Sequence, residues 1–169
     1  MKEKGNPLLQ IIRNVNDAVV VVLFLAMTIT VIIQVFFRFV IQSPLRWTEE
    51  LARYLMIWLV LMASAIAMRN RSHLQVDVLT SALPQKPKRI LTAIVDLLTI
   101  VFLCIMTYFG FKVVQSTTAQ TSTAMPIPMA LIYAAFPTGG VLMIMEQLLT
   151  FIERLKNKNA PEEPREFID

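Results

Sequence analysis

The chain is poor in the residues that build catalytic and metal centres: it has one cysteine, one histidine and only 17% charged residues among 169. With Cys104 alone, inside an apolar run, no disulfide forms within the chain and no thiolate cluster holds a metal. With His73 alone, only one pairing with a nearby carboxylate is available, to Asp77 four positions on, and one His–Asp pair is not a catalytic site. On a helix that spacing puts both side chains on one face, where they order a loop or sense pH. No internal repeat is visible, so the inverted-repeat plan that places a substrate site at the bilayer midplane is not supported. No enzymatic activity and no cofactor are expected in this chain.

What is abundant is apolar surface. Hydrophobic residues make up 56% of the chain and the mean hydropathy is +0.60, too apolar for an ordinary soluble domain of this length. Four apolar runs long enough to cross a bilayer lie at about 15–41, 47–68, 90–115 and 127–152. The expectation is an all-α integral membrane bundle of four transmembrane helices, forming one domain over 1–169 with a polar tail from about 155. No room remains for a separate soluble catalytic domain. The first run is too long for a signal-peptide core and lacks a convincing small-residue cleavage site, so it reads as a retained span.

Punctuation between the runs is clear. Ser43-Pro44 ends the first, and Glu49 and Glu50 fall in the first turn of the second, where carboxylates suit the positive end of the helix dipole. The stretch Pro84-Gln85-Lys86-Pro87-Lys88-Arg89 closes the segment before the third run. Between them, residues 73–83 form either a short helix lying in the membrane interface or an extension of the third helix. Pro137, with Gly139 and Gly140, should bend or loosen the fourth helix. Small residues at four-residue spacing, Ala63 and Ala67 in the second run and Ala130, Ala134 and Thr138 in the fourth, are candidates for close helix packing, within the bundle or between subunits.

Basic residues set the orientation. The two termini and the middle loop together carry twelve Lys and Arg, whereas the opposite flanks hold Arg38, Arg46 and Lys112. By the positive-inside rule both termini are cytoplasmic, and the +4 charge is a topology signal, with the lipid bilayer and not nucleic acid as partner.

Ionisable residues in or near spans are costly without a partner. Asp17, Asp96 and Glu146 fall near the cytoplasmic ends of their runs, within reach of Arg13, Lys88, Arg89 or Arg154, and read as interfacial charges. The richest stretch is RWTEELARYLMIW, which gathers Arg46, Trp47, Glu49, Glu50, Arg53, Tyr54 and Trp58. Glu49 and Arg53 have the spacing of a helical ion pair, and Trp47 and Tyr54 suit an interfacial aromatic belt. Arg53 lies about 9 Å beyond Trp47 along the axis and needs a counter-ion or must snorkel. The segment is either a membrane anchor or a docking surface for another subunit.

Two stretches carry a family resemblance: RWTEELARYLMIWLVLMASAIAMRNRSHLQVDVL and IPMALIYAAFPTGGVLMIMEQL, with Pro137-Thr138-Gly139 as its Pro-x-Gly turn. They resemble the small membrane subunit, DctQ-like or SiaQ-like, of tripartite ATP-independent periplasmic (TRAP) transporters. Where relatives carry a glycine before His73, Met68 to Ser72 has none.

The resemblance implies a small non-catalytic scaffold in the inner membrane. Its expected partners are a large elevator-type membrane subunit, which holds the substrate and sodium sites, and a periplasmic substrate-binding protein. Trp47, Glu49, Glu50, Arg53, His73 and Asp77 then serve assembly or local architecture. The imported organic acid is expected to be sialic acid, with a C4-dicarboxylate second. The alternative is an independent small transporter or channel built as a homo-oligomer.

Overall fold

The computed structural model describes residues 7–70 and 85–156. The interfacial helix expected at 73–83, His73, Asp77 and the tail beyond 156 lie outside the described residues. Among the described residues there are five helices: α1 (Pro7–Phe39), α2 (Arg46–Arg69), α3 (Gln85–Ser116), α4 (Met129–Tyr133) and α5 (Ala135–Lys156). Taking α4 and α5 as one broken span, four segments are long and apolar enough to cross a membrane, and the described residues contain no strand.

Two helices, α1 and α3, begin well before their apolar runs. α1 starts at Pro7 rather than near residue 15, because a proline at the first helical position loses no hydrogen bond and Arg13, Asn16 and Asp17 all find partners on other helices. α3 starts at Gln85 and takes in Pro87, so the part of the proline-bearing stretch from Gln85 on is a first helical turn, while Pro84 and the segment before it lie outside the described residues. A first turn has N–H groups without intrahelical acceptors, and proline is tolerated there.

α1 ends in a sharp reversal. Gln42 takes a positive φ of 56°, and the Ser43 N–H donates back to the Phe37 carbonyl at 3.1 Å. Pro44 then keeps the chain extended until Leu45 caps α2. The two long helices therefore form an antiparallel hairpin.

The fourth span breaks at Ala134, three residues before Pro137. Proline lacks an N–H and its ring crowds the carbonyl four residues back, here that of Tyr133. The Thr138 N–H and hydroxyl both donate to the Ala134 carbonyl, at 3.2 and 2.7 Å, so the backbone ladder resumes directly past the break.

α5 is the centre of the bundle, packed against α2 on one side and α3 on the other, while α1 lies along α2. The small core joins Ala65, Leu103 and Met143, one from each of α2, α3 and α5. Without a hydrophobic drive between helices in lipid, close approach and interhelical hydrogen bonds hold such a bundle. Of the small residues expected to pack closely, Ala67 and Thr138 are exposed and Ala63, Ala130 and Ala134 are half-buried, whereas Ala65, Ala135, Gly139 and Gly140 are buried. A Cβ on Gly139 would lie 2.8 Å from Leu61 Cβ, and one on Gly140 would collide with the Thr107 hydroxyl. Apolar side chains such as Val22, Leu25, Phe102 and Phe109 face outward, as a lipid-facing surface requires.

Candidate functional site

Polar side chains gather at the two ends of the bundle. At the end where α1 and α3 begin and α2 and α5 finish, Arg13 makes a two-pronged contact with Glu146. Its Nε donates to Oε1 at 2.8 Å and its Nη2 to Oε2 at 2.6 Å. This fork-to-fork geometry is the strongest form of an arginine–carboxylate pair. Glu146 is almost fully buried and its cost in the bundle is offset by that partner. Beside it, Gln147 Nε2 donates to Asp96 Oδ1 at 2.8 Å, linking α5 to α3. Asn16 Nδ2 donates to the Met62 carbonyl at 3.2 Å, linking α1 to α2.

Arg69 Nη2 holds both oxygens of Asp17 at 3.0 Å. Sequence reading brought Asp17, Asp96 and Glu146 to one end and named Arg13 among their partners, but did not name Arg69, Asn16 or Gln147. The Arg69 contact had a usable signal: Asp17 and Arg69 are equally distant from Ser43, at the turn of the hairpin. Gln147 and Asn16 carry no charge and had none.

At the opposite end Glu50 is the organiser. Its carboxylate accepts from the Tyr54 hydroxyl at 2.5 Å, the Ala124 N–H at 2.8 Å and the Thr123 hydroxyl at 3.3 Å. The loop it grips, between α3 and α4, is folded by an antiparallel bridge between Thr121 and Pro128 and by the Met129 N–H donating to the Gln120 carbonyl at 2.8 Å. Glu50 lies in the second turn of α2 and serves the loop and not the helix dipole; the first-turn carboxylate is Glu49.

Two expectations for this stretch are corrected. Tyr54 is buried, with the Met129 sulfur 3.7 Å from its hydroxyl, and so is part of the helix packing and not of an aromatic belt. Glu49 and Arg53 are both exposed and, among the described residues, no ion pair joins them. Outward placement lets each head group seek another partner, and an exposed i,i+4 pair gains only a few tenths of a kcal/mol. Trp47 is exposed and Trp58 half-buried. Arg46, Glu49, Arg53, Met56 and Val60, spaced three and four apart, form one outward face of α2.

Among the described residues no group of three or more potential metal-ligating side chains converges. The geometry is that of helix clamps and one outward charged face. Residues 27–157 match the family model for the DctQ component of tripartite ATP-independent periplasmic transporters. The chain belongs to this family. DctQ proteins are components of a transporter and not enzymes, and this one is a multi-pass inner-membrane protein.

The DctQ chain is 26% identical over 147 residues to the sialic acid TRAP transporter small permease protein SiaQ of Vibrio cholerae, covering 87% of this chain and 85% of that one. It is 30% identical over 122 residues to the sialic acid TRAP transporter permease protein SiaT of Haemophilus influenzae, covering 72% of this chain. To the isethionate TRAP transporter permease protein DctMQ of Oleidesulfovibrio alaskensis it is 34% identical over 104 residues, or 60% of this chain. It spans only 20% of SiaT and 16% of DctMQ.

Proposed function

We propose that this DctQ-family chain is the scaffold half of a sodium-coupled TRAP importer of an organic acid. In this reading it binds a large elevator-type membrane subunit that carries the substrate and sodium sites, and a periplasmic protein delivers the substrate. The observation that carries the reading is how its buried polar groups are engaged. Arg13 with Glu146 and Asp96 with Gln147 each join one helix to another, which suits a rigid support. The long SiaT and DctMQ permeases, of which this chain matches a minor share, support a larger membrane component in the working transporter.

The outward face of α2, with Arg46, Glu49 and Arg53 at one end and Met56 and Val60 beyond, is the docking face in this proposal. Twelve Lys and Arg on one side against three on the other support cytoplasmic termini, which four crossings permit. Sialic acid is the first substrate to test, after SiaQ and SiaT, and a C4-dicarboxylate the second.

The test is co-expression with the large subunit followed by mild-detergent purification and reconstitution. Co-elution, with sodium-driven uptake that needs both membrane subunits and the binding protein, is the expected result. Separate elution of two folded subunits, or solute flux through this chain alone in liposomes, would overturn the proposal.

A further inference from the structure

We propose that the junction of α1, α2 and α5 is an internal hydration site, in which one ordered water molecule bonds to the side-chain oxygen of Asn16. Asn16 is 8% exposed, and its Nδ2 is committed to the Met62 carbonyl. That bond fixes the amide orientation, because the flipped rotamer would set Oδ1 against the carbonyl oxygen. Oδ1 is buried and has no hydrogen-bond partner among the described residues. A buried amide oxygen left so is costly, and native proteins satisfy such atoms with protein or with water.

The cleft that Asn16 lines selects the ligand. This cleft, lined by Arg13, Asn16, Ala65, Arg69, Met145 and Glu146, among others, leaves about 10 Å³ in which the centre of a water molecule can sit. That is room for one water and too little for a larger solute. Charge points the same way. Arg13 is paired with Glu146 and Arg69 with Asp17, so each of these charges is already engaged by its counter-charge and a neutral ligand suits the cleft better than an ion.

A water here has the partners it needs. Asn16 Oδ1 accepts from it, and Arg69, whose five N–H groups meet Asp17 through one nitrogen only, donates to it. The site lies where α1 meets both α2 and α5, so the water completes the polar seam that sets the depth and rotation of α1. This inference is independent of the transporter reading, since it depends only on the fold of this chain.

The first experiment is a reconstruction of the intact membrane complex at a resolution that shows ordered waters. A single peak at roughly 2.6–3.2 Å from Asn16 Oδ1 is expected. An empty junction, an Asn16 oxygen bonded to protein instead, or density too large for water would overturn the site. The second is hydroxyl-radical footprinting of the same complex, which labels side chains beside bound water. In Asn16→Leu, which removes the acceptor at similar size, labelling of Met145 should fall several-fold while that of the exposed Met56 is unchanged. Equal labelling of Met145 in both proteins would count against a bound water. Should Asn16→Leu fail to assemble, the wild-type reconstruction decides the question alone.

Discussion

Arg13 in α1 and Glu146 in α5 stand 133 positions apart in the chain, yet their side chains meet in a two-pronged ion pair at 2.8 and 2.6 Å. The pair is the strongest single tie between the outermost helix and the central one. Glu146 is 5% exposed and Arg13 27%, so the pair is largely withdrawn from water and losing it removes a strong tie between the two helices. Glu146→Ala should destabilise the protein by roughly 2–4 kcal/mol, read as a lower thermal midpoint in detergent. The double variant Arg13→Met with Glu146→Leu should recover much of that loss, because it leaves no stranded charge.

Asp17 and Arg69 make a contact of similar shape in a wetter place. With the Asp17 side chain 42% exposed, solvent screens the pair and either member can be rehydrated. Arg69→Ala should therefore cost less than about 1 kcal/mol, and its effect should shrink further in high salt. A loss as large as that of Glu146→Ala would show that lipid, and not water, surrounds Asp17.

Glu50 ties the loop between α3 and α4 to α2, so its removal should be felt in the loop before it is felt in the fold. Glu50→Ala takes the acceptor from the Ala124 N–H and from the Tyr54 hydroxyl together. Hydrogen exchange at the Ala124 amide should become at least several-fold faster, with amides in the middle of α3 unchanged. Glu50→Gln, which keeps one oxygen as acceptor, should fall between the two.

The membrane fold was legible because 20-residue apolar runs have few physical alternatives. The polar ends were only half legible. Charges advertise a need for partners, and Arg13 and Asp17 could be placed at one end of the bundle from their positions alone. Glu50 looked like a helix-dipole or docking charge, since its real partners are a loop backbone and a hydroxyl more than 70 positions away, as in Thr123. The helix starts were hidden for a related reason: polar residues that face neighbouring helices lower the apparent hydropathy of a segment that is nonetheless helical.

Close packing at the centre makes its own prediction. Gly139 brings α5 to α2 so nearly that an added Cβ would lie 2.8 Å from Leu61 Cβ and 3.2 Å from the Leu61 carbonyl oxygen. One of those neighbours is backbone and cannot turn aside, so Gly139→Ala must push the helices apart, at a cost of roughly 1–3 kcal/mol. Thermal unfolding should show the loss. At Ala63, half-buried and outside this contact, replacement by glycine should cost only the helix-propensity difference, about 1 kcal/mol.

Arg53 tests the docking face. It is exposed, it makes no ion pair with Glu49, and it lies about 10 Å along the axis from Arg46, deeper into the span. A guanidinium at that depth either snorkels toward head groups or meets a carboxylate on the docked subunit. Snorkelling is insensitive to the partner, so Arg53→Ala would then leave co-purification with the large subunit intact. Docking predicts the opposite: Arg53→Ala weakens co-purification and sodium-driven uptake together, Arg53→Glu abolishes both, and Arg53→Lys restores them in part. Because Glu49 is not the partner, Glu49→Gln should not reproduce the Arg53→Ala defect. If all four variants co-purified and transported normally, α2 would present this face to lipid, and the scaffold would have to meet its partner through another helix.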